Sequence, residues 1–258
     1  MTEQKIQELL TTKYTGRSLF CFEKLNSTND FLKDAAENIP NGSAAVTMDQ
    51  LAGKGRRGHG WAGAKGQMAA ISVLFKDKDT GGIPLSLISA LAVTRTLNNL
   101  CKSKEFKIKW PNDIILYGKK VCGILCESKI TDGGCITVCG IGVNLTQKPE
   151  FFKNAGIPHG ASIKMLTGID LEPEKVVAGI LNSLEDIRED ISPKEFFDEY
   201  TASCITIGRQ VKAITPEGEI YGKAVGVNAD GTLNIESGGK TIKLASSDVS
   251  VRGIMGYI

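Results

Sequence analysis

Residues 53–61 read GKGRRGHGW, a segment that interleaves glycine with four basic side chains. Glycine permits positive φ angles and lets the backbone approach a ligand closely. The guanidinium groups of Arg56 and Arg57 suit carboxylate and phosphate oxygens, because each presents paired N–H donors. The segment therefore predicts a binding site for an anion. The alternative is a basic loop that contacts only solvent.

The spacing of Gly53, Gly55 and Gly58 also matches G-x-G-x-x-G, the fingerprint of dinucleotide-binding folds. That fingerprint requires a strand before the glycines and a helix after them, whose N-terminus meets the pyrophosphate. A strand is predicted at residues 43–50, but the following segment, GHGWAGAKGQ, contains too much glycine for a helix. The sequence thus disfavours a dinucleotide fold and indicates another anion.

The composition is that of a folded globular protein, with 258 residues, 41% hydrophobic and 23% charged. The formal net charge of +2 argues neither for nor against a nucleic-acid partner. The N-terminal segment MTEQKIQELL lacks the apolar region of a signal peptide, and no apolar run reaches the roughly 18–20 residues that span a bilayer. We expect a cytoplasmic protein whose seven cysteines are reduced.

Four of these cysteines are close in sequence, at Cys122, Cys126, Cys135 and Cys139. The segments VCGILCESKI and GCITVCGIGVN flank TDGG and predict a two-stranded hairpin. Residues four apart on a strand share a face. We expect core positions more than a metal or redox site, because C-x-x-C is absent and zinc ligands are usually closer in sequence.

Hydrophobic patterning predicts strands at residues 18–25, 43–50, 67–76 and 106–116, and helices at 29–38, 84–100, 172–190 and 193–203. Ser27 or Thr28 is placed to cap the first helix. From Gly208 onward, short alternating segments are separated by the turn sequences PEGE, ADG and SGG. They predict a small all-β barrel or sandwich that begins near residues 204–208.

At the level of motifs, GKGRRGHGW resembles the glycine-rich loop of biotin protein ligases, usually seen as G-R-G-R-x-G-R-x-W. Further stretches resemble that family in the expected order: STN (27–29), KWPND (109–113), KKVCGILCE (119–127) and GIGVNL (140–145). The β-rich C-terminus, with its SSDVSVRG segment, is also similar to that of the family. No winged-helix segment is visible at the N-terminus, so the chain looks like the form without a DNA-binding domain.

The resemblance implies an α+β fold, similar to class II synthetases, in which helices pack against one side of a mixed, mostly antiparallel sheet. A small C-terminal all-β barrel would follow. We assign residues 1–205 to a catalytic domain that binds biotin and ATP, and residues 206–258 to the barrel. We expect no binding to DNA or membranes, and a homodimer is possible.

The activity that the resemblance implies has two steps. Biotin's carboxylate attacks the α-phosphorus of ATP to give biotinyl-AMP and pyrophosphate, with Mg²⁺ on the nucleotide. A lysine of a biotin carboxyl carrier protein, or of the carrier domain of a carboxylase, then attacks the mixed anhydride and forms an amide. Such chemistry needs cations around crowded anions more than it needs a protein nucleophile. The sequence agrees, since it shows a basic glycine loop and no Ser-His-Asp pattern.

Site residues carry over by position in the motifs. Contacts to biotin are implied for Ser27, Thr28, Asn29, Gln50, Gly53, Arg56, Lys120, Gly123 and Gly140. Contacts to ATP are implied for Lys54, Arg56, Arg57, Trp61, Asn112, Asp113 and Asn144. Arg56 and Lys120 would be catalytic, between the biotin carboxylate and the α-phosphate. Asn112 and Asn144 would also face the Mg²⁺ bound to the nucleotide.

Several of these roles have alternatives. Lys119 is the neighbouring candidate for the role of Lys120, and Trp61 either lies near the adenine or only anchors the loop. Lys54 stands where the family usually has arginine, so a bidentate contact is lost there. His59 replaces the last arginine of the loop and is mostly neutral at pH 7.

Three other functions remain open at this point. A lipoate–protein ligase would have a similar fold, although GRRGHGW followed by KWPND disfavours that function. A biotin-sensing repressor would need a basic recognition helix, for which the first 17 residues are too short. A binding module without catalysis would act through the C-terminal barrel.

Overall fold

The computed structural model describes residues 1–77, 82–132, 134–246, 249–253 and 257. Its helices are α1 (Glu3–Leu9), α2 (Thr28–Ala35), α3 (Leu85–Leu100), α4 (Pro149–Asn154), α5 (Ile163–Thr167), α6 (Pro173–Asp190) and α7 (Pro193–Ser203). Its strands are β1 (Leu19–Phe22), β2 (Ala44–Thr47), β3 (Met68–Asp77), β4 (Lys107–Lys109), β5 (Asp113–Leu116), β6 (Lys119–Thr131), β7 (Gly134–Asn144), β8 (Gln210–Thr215), β9 (Gly218–Val227), β10 (Leu233–Ser237), β11 (Lys240–Leu244) and β12 (Ser250–Gly253). Within these ranges, no helix is long and apolar enough to cross a membrane.

Seven strands form one sheet in the order β1-β2-β3-β7-β6-β5-β4. Strands β1 and β2 run parallel, whereas the other neighbouring pairs are antiparallel. The connection between β1 and β2 contains α2, since parallel neighbours require a crossover. The predicted mixed, mostly antiparallel sheet is confirmed.

Helices cover both faces of this sheet, so the expectation of one-sided packing was wrong. Val73 and Phe75 of β3 lie in the main core with α3 and α6, whereas Leu74 packs with Leu32 of α2. Because successive strand residues point to opposite faces, α2 lies on the face opposite α3. A continuous apolar strand such as AAISVLF is buried on both sides, and its pattern does not indicate which helix covers which side.

Strands β6 and β7 form the predicted hairpin, in which Cys126 lies opposite Cys139. Their Sγ atoms are 3.2 Å apart, and the Cys139 Sγ lies 2.9 Å from the Ser89 Oγ of α3. Cys122 and Cys139 are buried, whereas Cys126 and Cys135 are half-buried. All seven cysteines are free thiols. The described residues contain no group of three or more His, Cys, Asp or Glu side chains that could hold a metal ion.

The C-terminal strands form a second sheet in the order β11-β10-β9-β8-β12, with antiparallel neighbours throughout. This sheet is the small all-β part that the sequence predicts. Trp110 joins it to the first sheet, because its backbone N–H donates to Thr206 Oγ1 at 2.9 Å and its indole Nε1 donates to the Gly231 carbonyl at 3.0 Å. The division at residues 205 and 206 lies between α7 and β8 and stays our proposal.

The N-terminal segment contains α1, which the sequence did not predict and which packs on α6. The short helices α4 and α5 were also missed, because five or six residues show no clear periodicity. The buried carboxylate of Glu185 on α6 accepts the backbone N–H groups of Lys13 at 2.5 Å, Tyr14 at 3.2 Å and Thr15 at 2.8 Å. Burial raises the pKa of Glu185, but these donors outweigh burial and hold its pKa below the ordinary value of 4.5.

We expect Glu185→Gln to lower the free energy of unfolding by about 2 kcal/mol at neutral pH, because one neutral amide oxygen satisfies three backbone N–H donors poorly. The folded-state pKa is depressed, so this stabilisation is present above the unfolded pKa and is lost as the pH falls through the folded pKa. The difference from the parent should therefore shrink below about pH 4. Urea unfolding at neutral and acidic pH measures it.

Glu8→Gln, at an exposed position of α1, is the matched control and should leave stability unchanged. A difference between Glu185→Gln and the parent that is the same at neutral and acidic pH would contradict the assigned role of the carboxylate.

Candidate active site

A cavity of about 530 Å³ opens on the face of the sheet that carries α2. The glycine-rich loop after β2 forms one wall, and residues of the C-terminal sheet form another. All but two of the predicted site residues line it: Ser27, Thr28, Asn29, Gln50, Lys54, Arg56, Arg57, Trp61, Asn112, Asp113, Lys120, Gly123 and Gly140. The fold thus brings together residues that are more than 100 positions apart in sequence.

Glycine forms the floor of the cavity, where β6 and β7 pair Gly123 with Gly142. A Cβ atom at Gly142 would lie 2.5 Å from the Trp61 ring, and one at Gly140 would overlap the Asn29 side-chain oxygen. Side chains from α2 and from the loop therefore lie directly on the backbone of the sheet. At these glycines the sheet has no side chain of its own to fill the space above it.

The N-terminus of α2 forms the polar end of the cavity. Ser27 caps the helix by accepting the Asp30 N–H, which confirms the predicted cap. Thr28 donates to the Gln50 Oε1 from its backbone N–H at 2.9 Å and from its hydroxyl at 3.1 Å. Ser72 of β3, which sequence reasoning did not select, lies 2.7 Å from the Thr28 hydroxyl. The feature of the sequence that could have identified Ser72 is its hydroxyl within an otherwise apolar strand.

The glycine-rich loop folds back on itself as a compact turn. Gly55 donates to the His59 carbonyl at 2.7 Å, and Trp61 donates to the Gly53 carbonyl at 2.8 Å. Between these contacts Arg57 has a φ of 58°, and the segment Arg56–Gly58 forms one 3₁₀ turn. The turn directs the side chain of Arg56 into the cavity, while Arg57 stays exposed at its rim.

Arg56 contacts two other parts of the chain. Its Nη1 donates to the Asn112 Oδ1 at 3.1 Å, and its Nη2 donates to the Val249 carbonyl at 3.3 Å and to the Ser246 carbonyl. Burial lowers the pKa of Arg56, although the charge of Asp113 opposes this shift. The guanidinium remains charged at neutral pH, because an arginine pKa lies far above 7.

Lys54 is held by α2. Its Nζ lies 2.7 Å from the Asp30 Oδ1, and Lys33 contacts the same oxygen at 2.9 Å. Burial raises the pKa of Asp30, but the two ammonium groups outweigh burial and lower it. The lysine that replaces the usual arginine therefore fastens the loop to α2. Its predicted contact with ATP remains untested.

Lys120 and Asp113, which both line the cavity, form an ion pair with 2.5 Å between Nζ and Oδ1. Burial raises the pKa of Asp113, but Lys120 and Lys109 outweigh burial and lower it. Lys119, the alternative candidate, donates its Nζ to the Pro158 carbonyl at 3.0 Å and does not line the cavity. The geometry therefore favours Lys120 over Lys119.

Two family sequence models match this chain: the biotin/lipoate A/B protein ligase family over residues 20–144, and the biotin protein ligase C-terminal domain over residues 206–252. A biotin–[acetyl-CoA-carboxylase] ligase of Paracoccus denitrificans is 30% identical over 81% of this chain and 90% of its own length. The chain belongs to the biotin protein ligase family. The bifunctional ligase/repressor BirA of Bacillus subtilis (strain 168) is 29% identical over 97% of this chain and 79% of its own length. A solved structure of the Aquifex aeolicus biotin protein ligase in complex with biotin and ATP is similar with a TM-score of 0.76 and 28% identity, covering 92% of this chain and 99% of that one.

In this member of the biotin protein ligase family, the C-terminal sheet supplies part of the cavity wall. Arg252, Ser250 and Val249 line it together with Ile214 of β8. Sequence reasoning identified SSDVSVRG as similar to the family but selected no residue from it. Arg252 adds a further positive charge, which the sequence did not place at the site because about 190 residues separate it from the glycine-rich loop.

Two predicted residues lie outside the lining of the cavity. A Cβ atom at Gly53 would lie 2.6 Å from the Trp61 carbonyl oxygen, so this glycine permits close packing of the loop. Asn144 is buried, and its Oδ1 accepts the Gln147 Nε2 at 2.9 Å. The amide oxygen of Asn112 likewise accepts a hydrogen bond, from Arg56. Each amide oxygen thus accepts one hydrogen bond from a neighbouring side chain, and the predicted contact of Asn112 and Asn144 with Mg²⁺ stays a prediction.

Trp61 has two possible roles, a contact with adenine or anchoring of the loop, and the structure places its ring against the sheet. Its ring packs on the backbone at Gly123 and Gly142, and the Lys120 Nζ lies 5.6 Å from the ring centroid. The indole Nε1 is buried without a hydrogen-bond partner among the described residues. A contact between Trp61 and adenine remains a prediction.

We expect Gly140→Ala to lower the free energy of unfolding by about 1–3 kcal/mol, because the new methyl group overlaps the Asn29 side chain. Gly226→Ala is the matched control, since the space around that strand glycine is open. Urea unfolding compares the two. In the Gly140→Ala background, Asn29→Ala should cost less than it does alone, because it relieves the overlap. Equal effects of Gly140→Ala and Gly226→Ala would contradict close packing at the floor.

Proposed function

We propose that this chain is an ATP-dependent biotin–protein ligase that forms biotinyl-AMP and then transfers biotin to a lysine of a carrier protein. The observation that carries the proposal is the convergence of Arg56 and Lys120 on one cavity, above a glycine floor and beside the polar end of α2. Family membership supports the reaction class, and the complex of the Aquifex aeolicus relative with biotin and ATP supports the pair of substrates.

The polar end of the cavity suits the ureido ring of biotin. That ring offers one carbonyl and two N–H groups, and the Thr28 hydroxyl and the Gln50 amide can donate and accept at these positions. Because Gly123 and Gly140 carry no Cβ atom, the Trp61 ring and the Asn29 side chain lie close to the sheet there, and the apolar face of a bicyclic ring would pack beside them. The cavity volume of about 530 Å³ is within the usual range for small-molecule sites.

The first step joins a carboxylate to a polyphosphate, so its obstacle is repulsion between anions. A biotin carboxylate oxygen bonds to the α-phosphorus while the bond from that phosphorus to the β-phosphate oxygen breaks, and pyrophosphate leaves with the electron pair. Arg56 and Lys120 would hold both reactants and neutralise the charge that develops. Arg57 and Arg252 lie at the same cavity and would face the departing phosphates.

The second step consumes the mixed anhydride. The neutral amine of a carrier lysine would attack the biotinyl carbonyl, AMP would leave, and an amide would form. We propose a biotin carboxyl carrier protein or domain as the acceptor, because relatives are named biotin–[acetyl-CoA-carboxylase] ligases. Mg²⁺ would arrive on the ATP phosphates, where it neutralises charge. A cytoplasmic location, a homodimer and the absence of DNA binding remain predictions.

Incubation of the purified chain with ATP, Mg²⁺ and labelled biotin or labelled lipoate tests the proposal. Pyrophosphate release that requires biotin, followed by transfer of label to a biotin carboxyl carrier domain, is the expected result. Activity with lipoate in place of biotin would assign the chain to the lipoate branch of the family. Absence of pyrophosphate release with either acid would overturn the proposal.

Lys120→Ala should reduce biotin-dependent pyrophosphate release by at least about 100-fold, because it removes a charge aimed at the reacting groups. The fold should persist, since Lys120 is half-buried and its backbone keeps the hydrogen bond to the His159 carbonyl. Lys119→Ala is the matched neighbour and should retain activity. The opposite ranking would transfer the catalytic role to Lys119.

Arg56→Gly should weaken retention of the acyl-adenylate by about 1.5–3 kcal/mol, the range for a hydrogen bond to a charged group. Biotinyl-AMP should then escape about 10–100-fold faster and label lysines on a bystander such as serum albumin. Arg209→Gly is the control, because Arg209 is exposed and does not line the cavity. An unlabelled bystander and an unchanged release rate would show that Arg56 does not retain the adenylate.

A further inference from the structure

Tyr257 contacts the ion pair of Lys120 and Asp113, although it is far from both residues in sequence. Its hydroxyl donates to the Asp113 Oδ2, while the Lys120 Nζ contacts the other oxygen, Oδ1. The ring of Tyr257 stacks on His159, with 4.6 Å between centroids and 9° between planes. Lys109 places its Nζ 4.2 Å from the centre of the same ring. Tyr257 is thus held by its ring and by its hydroxyl.

Asp113 needs these contacts because it is a buried carboxylate, only 8% exposed. A buried charge is costly unless both oxygens are compensated. The Oδ1 is compensated by the Lys120 ammonium at 2.5 Å. Among the described residues, the side-chain donor to the other oxygen, Oδ2, is the hydroxyl of Tyr257.

The ligand anions create a competition for Lys120. In the proposed reaction, Lys120 must turn from Asp113 toward a carboxylate or phosphate in the cavity. If Lys120 were the only compensating group, its departure would leave Asp113 buried and unpaired, at a cost that opposes anion binding. A second donor on Oδ2, with the Lys109 ammonium nearby, reduces that cost.

We propose that Tyr257 is a positioning residue, which holds Asp113 through Oδ2 so that Lys120 can leave Oδ1 and bind an incoming anion. The relevance of this role to catalysis rests on the proposed function. The role itself concerns the affinity of the cavity for any anion. Tyr257 touches neither substrate nor reacting atoms, and it acts through Asp113. Its hydroxyl, not its ring, carries the effect.

Tyr257→Phe isolates the hydroxyl, since phenylalanine retains the stack on His159 and the contact with Lys109. Tyr14→Phe is the matched control, because the Tyr14 hydroxyl donates to the Glu189 carboxylate at 2.6 Å on α6. Calorimetric titration with inorganic pyrophosphate measures anion affinity without any reaction. We expect the Kd of Tyr257→Phe to rise about 3–10-fold at unchanged stoichiometry, and that of Tyr14→Phe to equal the parent's.

The stoichiometry separates positioning from folding, because a merely structural loss reduces the number of competent sites and leaves the Kd of the remainder unchanged. A Kd within twofold of the parent's, or an equal rise for Tyr14→Phe, would overturn the role of Tyr257. The parent chain is assayed for biotin-dependent pyrophosphate release in parallel. Failure of that assay would refute the proposed function, while the titration still decides the role of Tyr257.

Discussion

One buried carboxylate among several cations organises the site. Lys120 pairs with Asp113, the charge of Lys109 also lowers the pKa of Asp113, and Arg56 and Arg252 line the same cavity. Burial lowers the pKa of Lys109 to about 8, although the charge of Asp113 opposes this shift. One negative charge does not balance these positive charges. The cavity therefore has an excess of positive charge that a polyanion would neutralise. The surrounding helices, strands and loops position these charged side chains.

The two faces of the seven-stranded sheet differ in the side chains that they carry. On one face, large apolar side chains pack against α3 and α6 and supply the main core. On the other face, α2 covers β2, β3 and part of β7, and glycine takes the place of larger residues beside the N-terminus of α2. The same strands thus provide stability on one side and an open surface on the other. The N-terminus of α2, the glycine-rich loop and the C-terminal sheet each close one side of that surface.

The amino-acid sequence was sufficient for much of this arrangement. Long apolar runs located β3, the β6–β7 hairpin, α3 and α6 within a few residues, because their periodicity is strong. Nearly all of the site residues selected from the motifs line the cavity, since chemistry fixes residue type and spacing there.

Other features depend on tertiary contacts that no local pattern records. The placement of α2 on the second face follows from the crossover between β1 and β2. The ion pair of Lys54 with Asp30 and the entry of Arg252 into the cavity each join segments that are distant along the chain. Ser72 reads as one polar residue in an apolar strand, and only the register of β3 with β7 places it at the site.

The hydrogen bonds of Arg56 link the glycine-rich loop to the segment that leads into the last strand of the C-terminal sheet. Its guanidinium is shared among Asn112 and the carbonyl groups of Val249 and Ser246, the last two about 190 residues away in sequence. An anion that drew Arg56 away from these carbonyl groups would replace their hydrogen bonds with its own, so anion binding would be coupled to the contact between Arg56 and the C-terminal segment. By reciprocity, a change that strengthened this contact would weaken anion binding by the same factor, and each 1.4 kcal/mol of coupling would equal about a tenfold change in affinity. A substitution in the C-terminal sheet could then change the affinity of the proposed site without altering a residue that touches the ligand.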